Sequence, residues 1–328
     1  MKLYPLLFKL AVAIPLCVAN TLSARALAAG SEQGFPTKPL RMLTAEPGGG
    51  SDLLARVVAQ GLSSSLGQQV VVDNRVGGVI IAELAAKAPP DGYTLFTYSS
   101  TLWLIPLMRT HTPYDPLRDY SPVTLVGNSP MVLVTHPSVA ATTVKELIAL
   151  AKARPGELNF ASGPSGAIPH LSAELFKYMA SIDIVHVPYK GVGAAVTDLI
   201  GGRTQLMMPN ASAALPHIKS SRLRGLAVSS AQPSALAPGL PTLAESGLPG
   251  YESVAMYAVF APAKTPAAIV KRLNQDIVAY LKRSDIREKF LSASTDIVAS
   301  APEQLTSTMR AEMARMGKVI KAAHIRME

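Results

Sequence analysis

From Lys38 onward, short apolar runs rich in β-branched residues alternate with stretches whose apolar positions recur at helical spacing. Leu40 to Ala45 reads as a strand and Leu53 to Leu66 as a helix. Val70 to Asp73, Thr94 to Tyr98 and Met131 to Thr135 read as further strands. Thr143 to Arg154 predicts a helix, with Thr142 or Thr143 as its cap and Pro155 just past its end. Asn159 to Ala161, Ile184 to Val187, Gln205 to Met208 and Leu223 to Val228 continue the strand series, with helices between them. A last strand at Met256 to Ala261 is followed by helices at Ala267 to Leu281 and Ser284 to Ser292. A short strand at Asp296 to Val298 precedes a closing helix from Pro302 to about Ala323. This alternation predicts an α/β fold with mostly parallel sheets covered on both faces. A strand, a glycine-rich loop and a helix occur at Gly48 and again at Gly163, which suggests two similar lobes facing each other.

The first residues follow a different pattern. Lys2 and Lys9 precede and flank an apolar run from Leu10 to Ala19, and Ala26-Leu27-Ala28 is a small-x-small cleavage site. The run holds Pro15 and Asn20 and is short for a membrane span, so residues 1–28 are expected to be a cleaved export signal. Cys17, the one cysteine, lies inside it and follows Leu16, where a lipid-anchor site wants a small residue. The mature chain then has no thiols, which suits a large exported domain that needs no disulfide staples. Losing Lys2, Lys9 and Arg25 lowers the formal charge from +9 to +6. The remaining cations are scattered apart from a modest cluster at Lys219, Arg222 and Arg224, so no nucleic-acid partner is expected.

Four loops carry candidate chemistry. Pro47-Gly48-Gly49-Gly50-Ser51-Asp52 joins a strand to a helix; its amides and the helix start suit an anion. Its plainer reading is a turn capped by Ser51 or Asp52. Ser162-Gly163-Pro164-Ser165-Gly166 repeats the arrangement before the helix that holds His170, which either touches ligand or packs. Ser99, Ser100 and Thr101 place three hydroxyls at a strand's carboxyl end, where open α/β sheets bind ligands; an ordinary polar loop has the same composition. Gly191-Val192-Gly193 resembles a dinucleotide fingerprint, but Val196 stands where the third glycine belongs, which excludes nicotinamide binding.

Catalytic templates are incomplete. Gly163-x-Ser165 lacks the rest of a nucleophile elbow. His111, His136, His170, His186, His217 and His324 form no HExxH pair, and no cysteines are spaced for a metal. No catalytic residue, metal or cofactor is expected. A secreted hydrolase using Ser165 or Ser99 would need a base and an orienting acid that the sequence does not pair.

Read in order, several segments resemble the Bug-type extracytoplasmic receptors of tripartite tricarboxylate transporters. They are Pro47 to Asp52 with Leu54-Ala55-Arg56, Val71-Val72-Asp73-Asn74-Arg75, Pro90-Asp91-Gly92-Tyr93-Thr94-Leu95 and His136-Pro137-Ser138. Ile184-Val185-His186-Val187-Pro188-Tyr189-Lys190-Gly191, Leu215-Pro216-His217-Ile218 and Gly247-Leu248-Pro249-Gly250-Tyr251 extend the resemblance to the C-terminus. It implies a two-lobed periplasmic-binding-protein fold (Venus-flytrap, type II), with lobe one at about 35–135 plus 257–328 and lobe two at 136–256. It also implies a periplasmic, monomeric receptor that pinches a small organic acid in the cleft and delivers it to membrane permease subunits. A sensing role beside a signalling protein is the alternative. The ligand is expected to contact Gly48, Gly49, Gly50, Ser51, Asp52, Gly77, Gly78, Ser99, Ser100, Thr101, Ser162, Gly163, Ser165, His170 and Asn210, with its carboxylate held by Ser162, Ser165, Asn210 and the amides of Gly48 to Ser51.

The sequence departs from the family pattern in three places. Ala45-Glu46 replaces an apolar segment. The loop Val76-Gly77-Gly78-Val79-Ile80 is shorter and lacks an asparagine. Pro209 stands where an aspartate is usual before Asn210. Losing polar groups at the last two points is expected to favour ligands with an apolar far end, and Trp103 either lines that end or packs within its lobe.

Overall fold

The computed structural model describes residues 34–327 except 46, 48, 49, 76, 77 and 293, so the export signal, Gly48, Gly49 and Gly77 lie outside the described residues. The chain opens as Leu40–Thr44 (β1), Gly50–Leu66 (α1), Val70–Asn74 (β2), Gly78–Ala86 (α2), Thr94–Ser99 (β3), Thr101–Met108 (α3) and Tyr120–Pro130 (β4). It continues as Val132–Thr135 (β5), Val144–Ala153 (α4), Asn159–Ser162 (β6), Ile168–Ala180 (α5), Val185–Pro188 (β7), Val192–Ile200 (α6), Leu206–Met207 (β8), Ala211–Lys219 (α7) and Arg224–Val228 (β9). It ends as Val254–Pro262 (β10), Ala267–Leu281 (α8), Ser284–Ser292 (α9), Asp296–Ile297 (β11) and Pro302–Ala322 (α10).

Two sheets result, ordered β11-β4-β10-β3-β1-β2 and β7-β6-β8-β5-β9. Side-chain alternation sorts the first sheet's residues onto its two faces. On β1, Leu40 and Met42 join the core under α1 and α8, while Leu43 joins the core with α2 and α3. On β10, Val259 and Phe260 divide in the same way.

Both sheets are mixed. β1 runs parallel to β2 and β3, and β6 parallel to β7 and β8, where helices supply the crossovers. The strands next to the junction are antiparallel: β10 to β3 and β4, and β5 to β8 and β9. The parallel expectation therefore holds in each sheet's βαβ part and fails at the junction, where chain direction reverses between neighbours.

The crossings also move. Val132–Thr135, assigned by sequence to the end of lobe one, pairs with β8 and β9 of the second sheet. The chain therefore leaves the first sheet at Met131. It returns by Val254, where β10 begins to pair with β4. Apolar runs mark strands but do not reveal which sheet they join.

The junction is fastened from both sides. The Ser172 and Ser253 hydroxyls lie 2.7 Å apart, and Tyr251 donates to the Ser172 carbonyl at 2.7 Å, which ties α5 to the returning segment. Arg315 on α10 pairs with Glu252 at 2.9 Å. Trp103 on α3 is fully buried and donates from Nε1 to Glu312 on α10 at 2.6 Å.

Candidate functional site

The described candidate residues all follow the carboxyl ends of parallel strands. Gly50, Ser51 and Asp52 follow β1, Gly78 follows β2, and Ser99 to Thr101 close β3. Ser162, Gly163, Ser165 and His170 follow β6, and Asn210 follows β8. Open α/β sheets place their ligand crevice at these ends.

In the first lobe, α1 starts at Gly50, three residues before its first periodic apolar position, so Gly50, Ser51 and Asp52 form its first turn. Asp52 is buried and engaged. Asn74 donates to Asp52 Oδ1 at 2.8 Å and to the Ala45 carbonyl at 2.6 Å, and Arg56 meets Asp52 at 3.0 Å. Asp52 therefore clamps the end of β2 to the helix start, where its charge also complements the helix dipole. The stretch read as a loop around Gly78 to Ile80 is the first turn of α2. Gly78 is required there by close approach, since a Cβ would collide with the Tyr98 hydroxyl.

At the end of β3, the Ser99 and Thr101 hydroxyls pair at 2.7 Å. Ser100 is fully buried at the start of α3; its amide donates to the Met256 carbonyl at 2.8 Å, and its hydroxyl has no protein partner among the described residues. A buried, unmade hydroxyl bond costs about 1–3 kcal/mol, which marks it as an acceptor or donor awaiting company. Of the two readings of Trp103, cleft wall and lobe packing, the structure shows the second: its indole N–H is satisfied by Glu312 and its ring packs edge-on to Phe260 at 6.3 Å. Apolar size alone did not separate a cleft wall from a core residue.

In the second lobe, Ser162 is buried and donates to the Gly163 carbonyl at 2.9 Å. His186 Nε2 lies 2.7 Å from the same hydroxyl and, with that proton already directed at Gly163, is the donor. The His186 ring stacks on both Phe160 (4.8 Å) and His170 (4.1 Å), which lie 6.2 Å from each other, so the three rings form a compact cluster. Burial, with the neighbouring His170, pushes the His186 pKa down to about 4, so the imidazole is neutral at neutral pH. His170 is buried and accepts the Gly166 amide at Nδ1 (3.0 Å), which gives it the packing and loop-holding role. Ser165 stands exposed on the loop.

Asn210 bridges to Met131, the residue at which the chain changes sheets, and its amide donates to Ser212 at 2.8 Å. Gly166, at φ +82°, lies against Met108 and Met327 of the first lobe. The candidate loops of both lobes thus border the junction. In the sequence His186 is one of six scattered histidines and part of a family motif; its role depends on a contact with Ser162 that no spacing rule signals. Among the described residues, no group of three or more His, Cys, Asp or Glu is placed to hold a metal.

Two α/β sheets joined by a double crossing, with loops at strand carboxyl ends flanking the junction, define a two-lobed solute-binding protein. The tripartite tricarboxylate transporter family receptor model matches residues 54–325, and the chain belongs to that family. It is 40% identical to Protein BugT of Bordetella pertussis over 297 residues, covering 89% of this chain and 91% of BugT. Among solved structures it resembles R. palustris Rpa4515 with adipate (TM-score 0.77, 35% identity, 89% of this chain and 99% of that one). It also resembles MatC from Rhodopseudomonas palustris with bound malate (TM-score 0.73, 26% identity, 87% and 100%).

Proposed function

We propose that this receptor captures a small organic carboxylate between its lobes and passes it, as a periplasmic monomer without catalysis, to the permease subunits of a tripartite tricarboxylate-type transporter. The observation that carries the reading is the convergence of the candidate loops, from the carboxyl ends of parallel strands in both sheets, on the two crossings at Met131 and Val254. Amides at the start of α1 and the exposed Ser165 hydroxyl hold one carboxylate, while Ser162, its proton given to Gly163, shapes the loop. The similar proteins carry adipate and malate, both small carboxylates, which supports the ligand class.

A thermal-shift screen of organic acids tests it. A true ligand at 100 times its Kd stabilises the protein by about 2.7 kcal/mol; no shift from any acid in the panel sinks the reading. Scattering with and without the hit reports closure, since contacts from both lobes favour the closed state.

The far end of the ligand is apolar. Ile80, exposed at 68%, follows the shortened loop, and Pro209 brings no charge. Calorimetry on benzoate and citrate, side by side, should show citrate binding more weakly, because its distal charges find no partners. Export proceeds by cleavage after Ala28, which mass spectrometry of periplasmic protein checks; a retained, lipidated Cys17 rules it out.

A further inference from the structure

One polar group beside the first-lobe loop is used by nothing described so far. Tyr257 lies on β10, the strand that returns from the second lobe, and pairs across to Ser99. The register of β10 against β4 shifts between Tyr257 and Ala258. Such irregularities bend a strand and re-aim a side chain, and they occur beside functional sites. Here the ring ends against Gly50, the first residue of α1: a Cβ at Gly50 would collide with the Tyr257 hydroxyl and with its ring carbons Cζ and Cε1. The glycine is thus the space that the tyrosine occupies. The hydroxyl has no hydrogen-bond partner among the described residues, although the side chain is half-buried. Burial raises the phenol's pKa, so it remains a neutral O–H, able to donate.

We infer that the Tyr257 hydroxyl donates a hydrogen bond to the carboxylate held at the start of α1, so that the returning strand itself touches the ligand. This rests on the carboxylate reading above. A phenol O–H beside helix-terminal amides adds one more donor to that set, which favours ionised acids over their amides or esters. It also gives the hinge a direct part in binding: the strand that bends on closure carries a group that the ligand pulls.

Calorimetry on the full chain tests the inference, with adipate, malate and benzoate offered and the tightest taken as probe. Tyr257→Phe should weaken the probe's binding about tenfold or more, the effect of one charge-assisted hydrogen bond, with an unchanged urea midpoint. Gly50→Ala should also weaken binding by displacing the ring, and adding Tyr257→Phe to it should cost nothing further. Wild-type-like binding by Tyr257→Phe, or additive losses in the double variant, overturns the tyrosine's part and leaves the carboxylate reading standing. A wild-type protein that binds none of the three acids removes both.

Discussion

The two lobes hold similar loops by different means. In the first lobe the candidate loop is glycine and backbone, braced by polar and ionic side chains: Asp52 with Asn74 and Arg56 at α1, and Glu312 beneath Trp103 at α3. In the second lobe it is serine side chains, braced by a tier of Phe160, His186 and His170 rings. The braces differ in the sign of their response to pH. Burial lifts the Glu312 pKa to about 7, with Trp103 and Arg315 opposing the shift and Glu252 adding to it. Burial and His170 depress His186 to about 4, with Lys177 adding to the shift and Glu174 opposing it. A loop can therefore be held firmly by either chemistry, but each brace has its own weak side of the pH scale.

Removing the ring tier should do the most damage. Phe160 is fully buried, and Phe160→Ala should destabilise the protein by about 3–5 kcal/mol in urea unfolding while loosening ligand binding. A loss below about 1 kcal/mol would mean that the tier is not a brace.

The acid comes next. A carboxyl whose folded pKa lies above its unfolded value stabilises fully below the unfolded pKa and loses that contribution as pH rises through the folded one. Wild type should therefore lose up to about 3 kcal/mol between about pH 4.5 and 7 from this group. Glu312→Gln, which still accepts from Trp103, should flatten that limb; an unchanged pH profile refutes the assignment.

Binding separates the lobes more finely. Ser165→Ala should weaken the ligand by one to two decades, because its hydroxyl is the donor. Ser51→Ala should change affinity less than twofold, because there only the amide serves. Equal effects would erase the distinction between a backbone loop and a side-chain loop.

The smallest stability effect belongs to His186. A histidine with a depressed folded pKa stabilises above its unfolded value near 6.5 and loses that as pH falls through about 4. Partial exposure reduces the effect to about 1 kcal/mol. His186→Gln should flatten the acid limb and leave the neutral limb alone.

Local order was readable from the chain. The helices at Ala267–Leu281 and Ser284–Ser292 keep their expected bounds, and Thr143 forms a capping box with Glu146 at the start of α4. β4 was not read, because Pro122, Gly127 and Pro130 look like breakers. Pro122 is tolerated since β11 covers only Asn128 and Gly127, which leaves the strand an edge at the proline. Gly127 is required because a Cβ there would collide with the Asp296 carbonyl. Candidate loops were legible through glycine and hydroxyl content. Their supports were not, because Ser162 meets His186, Trp103 meets Glu312, and Gly50 meets Tyr257 only after the chain has folded back.

The placement of β10 between β3 and β4 also dictates an order of assembly. Every strand of the second sheet lies between Val132 and Val228, so that sheet can close as soon as this stretch has emerged. The first sheet cannot: until Val254–Pro262 arrives, β3 and β4 face each other across an unfilled slot, each with an open edge. Long-range pairings of this kind form late and slowly. As the chain emerges, the inserted lobe therefore matures first, and the first-sheet lobe is the one finished last.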